Sequence, residues 1–166
     1  MSSETIVFDV VPHSGAGEIR LGMTRRDVRR LLGEPARSYY KVPGATLTDT
    51  YFGSDLQVAY DAADRVEYIE LNGPGAIDAV FHGGSLLNVP AEEVRDWMKQ
   101  FAEYDPDDPE LGYSYVYPTL DLSLWRPVLP ENPDDNEGRF FRSVGVGRSG
   151  YFDRGGQSSV ETERRL

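Results

Sequence analysis

The sequence predicts an α+β fold in which tandem helix-plus-antiparallel-meander units form one curved sheet with the helices on one face. Three observations predict it. A short apolar helical stripe occurs twice, as Val28, Leu31, Leu32 and as Val94, Trp97, Met98, Phe101. Aligning Val28 with Val94 also pairs Arg29 with Arg95, Leu31 with Trp97 and Leu32 with Met98. Each stripe is followed by short β-rich segments separated by turn residues. The first unit is expected over residues 1–75 and the second, diverged one over 76–153. The polar, Gly/Ser-rich stretch 154–166 is expected to be disordered.

Thr5 to Val11 alternates loosely and predicts a first strand, ended by Pro12 and the Ser14–Gly17 turn. The first helix starts at Thr24, whose hydroxyl can cap it, with Asp27 completing a capping box. Gly33 and Pro35 stop it. From Ser38 to Phe81 the chain predicts an antiparallel meander, with turns at Gly53, at Asp61–Asp64 and at Asn72–Gly75. The second helix is expected from Pro90 to Glu103, with Glu92 and Glu93 at the positive end of its dipole. Further strands are expected over Tyr113–Tyr117, Leu120–Trp125 and Arg139–Val146. Acidic, proline-bearing loops at Asp105–Glu110 and Pro130–Glu137 separate them. Insertions in a repeat commonly collect on a functional face, though they are also where any surface drifts.

Charge and composition narrow the function classes. There are 28 acidic and 17 basic residues, a formal net charge of −11, so the basic footprint of a nucleic-acid binder is missing. An acidic surface can steer a basic partner, and it also keeps a protein soluble. No apolar run is long enough to span a membrane, and the N-terminal residues do not form a signal-peptide core. The chain has no cysteine, which excludes disulfides and thiolate chemistry and favours a reducing, cytoplasmic setting.

Signals for catalysis or cofactors are weak. His13 and His82 are the only histidines, and no metal-ligand spacing is present. Asp105, Asp107, Asp108 and Glu110 could hold a hard cation, but they lack the glycine and regular alternation of an EF-hand loop. His82 and Ser85 could serve a hydrolase, without a nucleophile-elbow motif to accompany them. The expectation is a protein that is not an enzyme and has no cofactor, metal or catalytic residue. Aromatic residues carry more information. Tyr113, Tyr115 and Tyr117 share one face of a strand, with Trp125 one strand later and Tyr39, Tyr40 and Tyr51 in the first unit. Such a stripe either packs under the helices or, facing outward beside acidic loops, binds a protein.

Residues Glu18 to Pro35 resemble the opening of the SmpA/OmlA and β-lactamase-inhibitor-like (BLIP-like) group, in which a Gly-Met-Thr turn leads into a Val-x-x-Leu-Leu-Gly-x-Pro helix. Gly22, Met23, Thr24, Val28, Leu31, Leu32, Gly33 and Pro35 match. With the second copy at Val94, the resemblance covers most of residues 15–152. It implies a curved sheet whose concave face grips another protein, as in β-lactamase-inhibitory proteins. Those inhibitors carry disulfides, and the outer-membrane members are anchored through a cysteine; this chain has neither. The chain is also similar to acidic, cysteine-free immunity proteins that neutralise bacterial toxins. The resemblance implies a bacterial protein-binding module with a basic toxin as partner, in the cytoplasm, with no nucleic acid and no membrane. Partner-binding residues are expected at Tyr113, Tyr115, Tyr117, Trp125, Tyr51, Asp105, Asp107, Asp108 and Glu110. A small-molecule or peptide-binding domain is the alternative, and a Ser85/His82 hydrolase a third.

Overall fold

The computed structural model describes residues 4–40 and 46–153; the tail expected to be disordered lies outside the described residues. Among the described residues there are two helices and twelve strands in two sheets, a mixed α+β architecture. The first half runs β1 (Ile6–Val11), β2 (Gly15–Ala16), β3 (Ile19–Arg20), α1 (Arg25–Leu32), β4 (Arg37–Tyr40), β5 (Leu47–Tyr51), β6 (Leu56–Tyr60) and β7 (Val66–Asn72). The second runs β8 (Ile77–Phe81), β9 (Gly84–Ser85), α2 (Ala91–Met98), β10 (Ser114–Tyr117), β11 (Leu122–Trp125) and β12 (Ser143–Gly147).

Seven strands form a sheet in the order β10-β11-β12-β7-β6-β5-β4, every neighbouring pair antiparallel. Two meanders therefore meet last strand to last strand, with Ser143 opposite Asn72 and Gly147 opposite Tyr68. The other five strands form a second sheet, where the expectation was one. The reason is β8: it does not continue the meander but pairs in parallel with β1, Ile6 opposite Ile77 and Asp9 opposite Val80.

Thr24 caps α1, its hydroxyl accepting from Asp27 N at 3.2 Å, and Gly33 ends the helix in the left-handed region (φ 85°) that favours glycine. Leu31, expected in the buried stripe, is 46% exposed, because an eight-residue helix turns only Val28 fully inward. α2 stops at Met98, short of the expected Glu103. Its last carbonyls find partners at once: the Gln100 side chain donates to Trp97 O at 3.0 Å, and Phe101 N and Ala102 N both reach Met98 O. Phe101 then folds back onto Trp97, Phe81 and His82.

Each helix start is tied by a backbone bond to the segment that precedes a strand of the large sheet. Arg25 N donates to Asp64 O at 3.0 Å, just before β7, and Ala91 N donates to Arg139 O at 2.7 Å, shortly before β12. The core joins one face of the large sheet to both helices and the small sheet. Leu56, Val58, Ile69, Leu71, Leu124, Val144 and Val146 share it with Val28, Val94, Met98, Phe8 and Ile77, all nearly or fully buried.

Candidate functional site

The parity of β10 decides the fate of the tyrosines. Tyr115 and Tyr117 pair with Leu124 and Leu122 on the core face and are 5% and 1% exposed. Tyr104 meets both rings edge-on, at 5.0 and 6.3 Å. Tyr51 is buried as well, its hydroxyl donating to Gly33 O at the end of α1, and burial pushes its phenol up to about 12. These three are core residues; the outward-facing reading of the stripe does not hold for them. Their bulk was compatible with either face, and hydrophobic burial beneath the helices took them inward. Tyr113 precedes the strand and is 42% exposed, and Trp125 is half-buried on the opposite, outer face, opposite Ser143.

The acidic loop is arranged around its own backbone. Asp105 Oδ1 accepts from Asp107 N and Asp108 Oδ1 from Glu110 N, both at 2.9 Å. Among the described residues no group of three or more metal-ligating side chains converges. Of the four acids only Glu110 reaches the outer sheet face. There it lines, with Tyr68, Glu70, Ser123, Trp125 and Ser143, a depression of about 310 Å³.

The sequence builds this depression by alternation. On β11, Leu122 and Leu124 point to the core while Ser123 and Trp125 face out; on β12, Val144 and Val146 point in while Ser143, Gly145 and Gly147 face out. Gly145 lies beneath Tyr68 and Ser123. A Cβ there would collide with Tyr68 Oη and Ser123 Oγ, so only glycine lets the Tyr68 ring lie across β12. Tyr151 stacks on Tyr68 with ring centres 4.8 Å apart, and Phe152 meets it edge-on. Glu70 accepts from Asn72 Nδ2 at 3.3 Å and, at 3.5 Å, from the Tyr68 hydroxyl. The Ser143 hydroxyl donates to Asn72 Oδ1. Among the described residues, two carboxylates line the depression and no basic side chain does. Tyr68, Glu70, Ser123 and Ser143 escaped the sequence reading. The signal available for them was the small-or-polar parity of these strands, outweighed there by the tyrosines.

Other polar clusters are tied into the fold. Asp49, fully buried, takes two hydrogen bonds from Arg29, Nε to Oδ2 at 3.0 Å and Nη2 to Oδ1 at 2.9 Å, one from Ser38 at 2.6 Å and one from Tyr60 at 3.0 Å. Burial alone would push its carboxyl up; the donors from Arg29, Ser38 and Tyr60 outweigh that and hold it below the usual carboxylate range. This seats α1 on β5. Arg126, 3% exposed, donates to Gly112 O and Gly138 O, both at 2.9 Å, and pairs with Glu92 at 3.1 Å, tying both acidic loops to α2. His13 lies 3.0 Å from Asp121.

Ser85 and His82 are each engaged with other partners. The Ser85 hydroxyl donates to Asp78 Oδ1 at 2.9 Å and accepts from Asn88 N at 3.0 Å, while the His82 ring stacks on Phe101 with centres 4.5 Å apart.

No family model, no curated protein and no solved structure matches this chain.

Proposed function

We propose that the protein is a non-enzymatic binding module that takes a basic protein partner on the outer face of its seven-stranded sheet. One observation carries the reading. The outer face holds a depression lined by Trp125, Tyr68 and the Glu70 and Glu110 carboxylates, with no basic side chain among the described residues. Tyr and Trp give large contact area with a polar tip, the side-chain types enriched at interface hot spots. An acidic chain with a net charge of −11 steers cationic partners toward such a face. Leu111, Tyr113, Val128 and Leu129, each at least 38% exposed, add apolar surface on the segments flanking β10 and β11.

The tandem helix-plus-meander organisation belongs to the same proposal. α1 leads into β4–β7 and α2 into β10–β12, and the matched backbone bonds of Arg25 and Ala91 support a repeated unit. The resemblance to β-lactamase-inhibitor-like and immunity proteins makes the partner a basic toxin and the setting the cytoplasm.

Affinity capture from the source cell's lysate, with wild-type protein and Trp125→Ala side by side, tests the reading. Wild-type protein should retain a basic protein that half-molar salt releases and that the variant fails to hold. Equal retention by both proteins would refute the assignment of this face.

A further inference from the structure

We infer that the partner docks through a basic segment that also carries apolar side chains. Those apolar side chains seat on Leu111, Tyr113, Val128 and Leu129, and its lysines or arginines lie beside Glu131, Asp134 and Glu137; this rests on the binding function proposed above. The four apolar residues are exposed, and they come together from two stretches of chain. The Leu129 side chain lies over Gly112, the residue between Leu111 and Tyr113, with one methyl 3.7 Å from where a Cβ at that glycine would stand. Gly138 packs directly against the Val128 carbonyl, where any side chain would collide. Arg126, 3% exposed, donates to Gly112 O and Gly138 O, both at 2.9 Å, so the two stretches are fixed before a partner arrives. Ser114 is bridged to Leu111 and lies opposite Trp125, which joins the patch to the sheet face.

The patch and the loop beside it select different parts of the segment. Three aliphatic side chains gain by leaving water, and Tyr113 adds a ring with a polar tip. A basic segment of polar residues alone would leave this surface wet. The charge comes from the stretch that follows Leu129: Pro130 to Glu137 holds four acidic residues and no basic one. Glu131, Asp134 and Glu137 are exposed, and among the described residues no basic side chain pairs with them. The nearby Arg139 lies over the Phe140 ring. Cations are therefore attracted beside the patch, and an acidic segment is repelled however apolar it is. A second copy of this chain would bring a net charge of −11 against −11. Exposed charges of this kind govern approach and selectivity, so the apolar contact supplies most of the affinity.

The test is an NMR titration of the full chain, following the Val128 and Leu129 methyls, assigned through Val128→Ile and Leu129→Ile. The probes are three blocked heptapeptides: lysine alternating with leucine, lysine alternating with serine, and glutamate alternating with leucine. The lysine–leucine peptide should give a saturable shift, with the other two weaker by about tenfold or more, the scale of one buried aliphatic side chain. Leu129→Ser, followed through the Val128 methyls, should weaken the lysine–leucine peptide similarly. A protein carrying Glu131→Gln, Asp134→Asn and Glu137→Gln together should bind it more weakly and with less dependence on salt. Tyr40→Ala, on the β4 edge, should leave it unchanged. Either control peptide binding as well as lysine–leucine, no saturable shift, or indifference to both altered proteins would overturn the inference. So would a shift produced by concentrating the protein alone, which would assign the patch to a second copy. A partner lost in Trp125→Ala but retained by Leu129→Ser would overturn the docking segment and leave the binding face standing. Capture that ignores Trp125→Ala would remove the binding face itself.

Discussion

On its core face the seven-stranded sheet carries Tyr51, Tyr60, Tyr115 and Tyr117, none more than 5% exposed; on its outer face the same sheet carries Ser114, Ser123, Ser143, Gly145 and Trp125. The two faces hold their polar groups differently. Inside, two of the phenols are tied to single acceptors: Tyr60 to Asp49, Tyr51 to Gly33 O. Outside, carboxylates and hydroxyls border a depression. Aromatic content alone therefore does not mark a binding face. Small residues do as much, because Ser123 and Ser143 leave space beside Trp125, Tyr68 and Glu70.

The sharpest break between the faces should come from one pair of substitutions. Tyr115→Ala empties a core position and should cost about 4 kcal/mol, the scale of aromatic-to-alanine changes in a core. Trp125→Ala should cost about 1 kcal/mol or less while abolishing partner retention. Urea unfolding of both variants measures the contrast; equal losses would erase it.

Next in size is the polar seat under α1. Asp49→Ala leaves Arg29, Ser38 and Tyr60 without their acceptor and should cost about 3 kcal/mol, the low end for a broken buried pair. Arg29 keeps 29% of its side chain exposed, which places the loss at that end. The seat also titrates. Its folded carboxyl lies below the unfolded value of about 3.9, so the stability it lends is complete above that value and is lost as pH falls through the lower folded one. The difference in urea midpoint between wild type and Asp49→Asn should therefore shrink on acidification below about pH 4. A constant difference would mean that the carboxylate charge contributes nothing.

Gly145→Ala should displace Tyr68 and Ser123, cost about 1–2 kcal/mol and weaken binding on the outer face, read by the same unfolding and capture assays. The smallest effect is a gain. Tyr117 Oη is buried without a hydrogen-bond partner, so Tyr117→Phe should raise stability by about 1 kcal/mol in urea unfolding.

Local chemistry made much of this molecule legible from sequence. Thr24 and Gly33 bound α1 because capping needs only neighbours in the chain, and the strands from Leu47 to Asn72 follow from alternation and turn residues. What escaped depends on distant pairing. The departure of β8 to pair with β1 is decided by a partner some seventy residues away, Ile6 for Ile77. The orientation of Tyr115 and Tyr117 needs the knowledge of which side the helices occupy; alternation gives parity and not direction. Glu110 was within reach as part of an acidic run, whereas Glu70 and Tyr68 join it only because β7 lies beside β12.

Site-specific photocrosslinking in the source cell compares the two sides of the protein directly, with a benzophenone side chain at position 125 in one protein and at the exposed Leu31 of α1 in another. Position 125 should give an adduct with a single basic protein, and position 31 should give none. An adduct from position 31, with position 125 silent, would place the partner on the helix side instead.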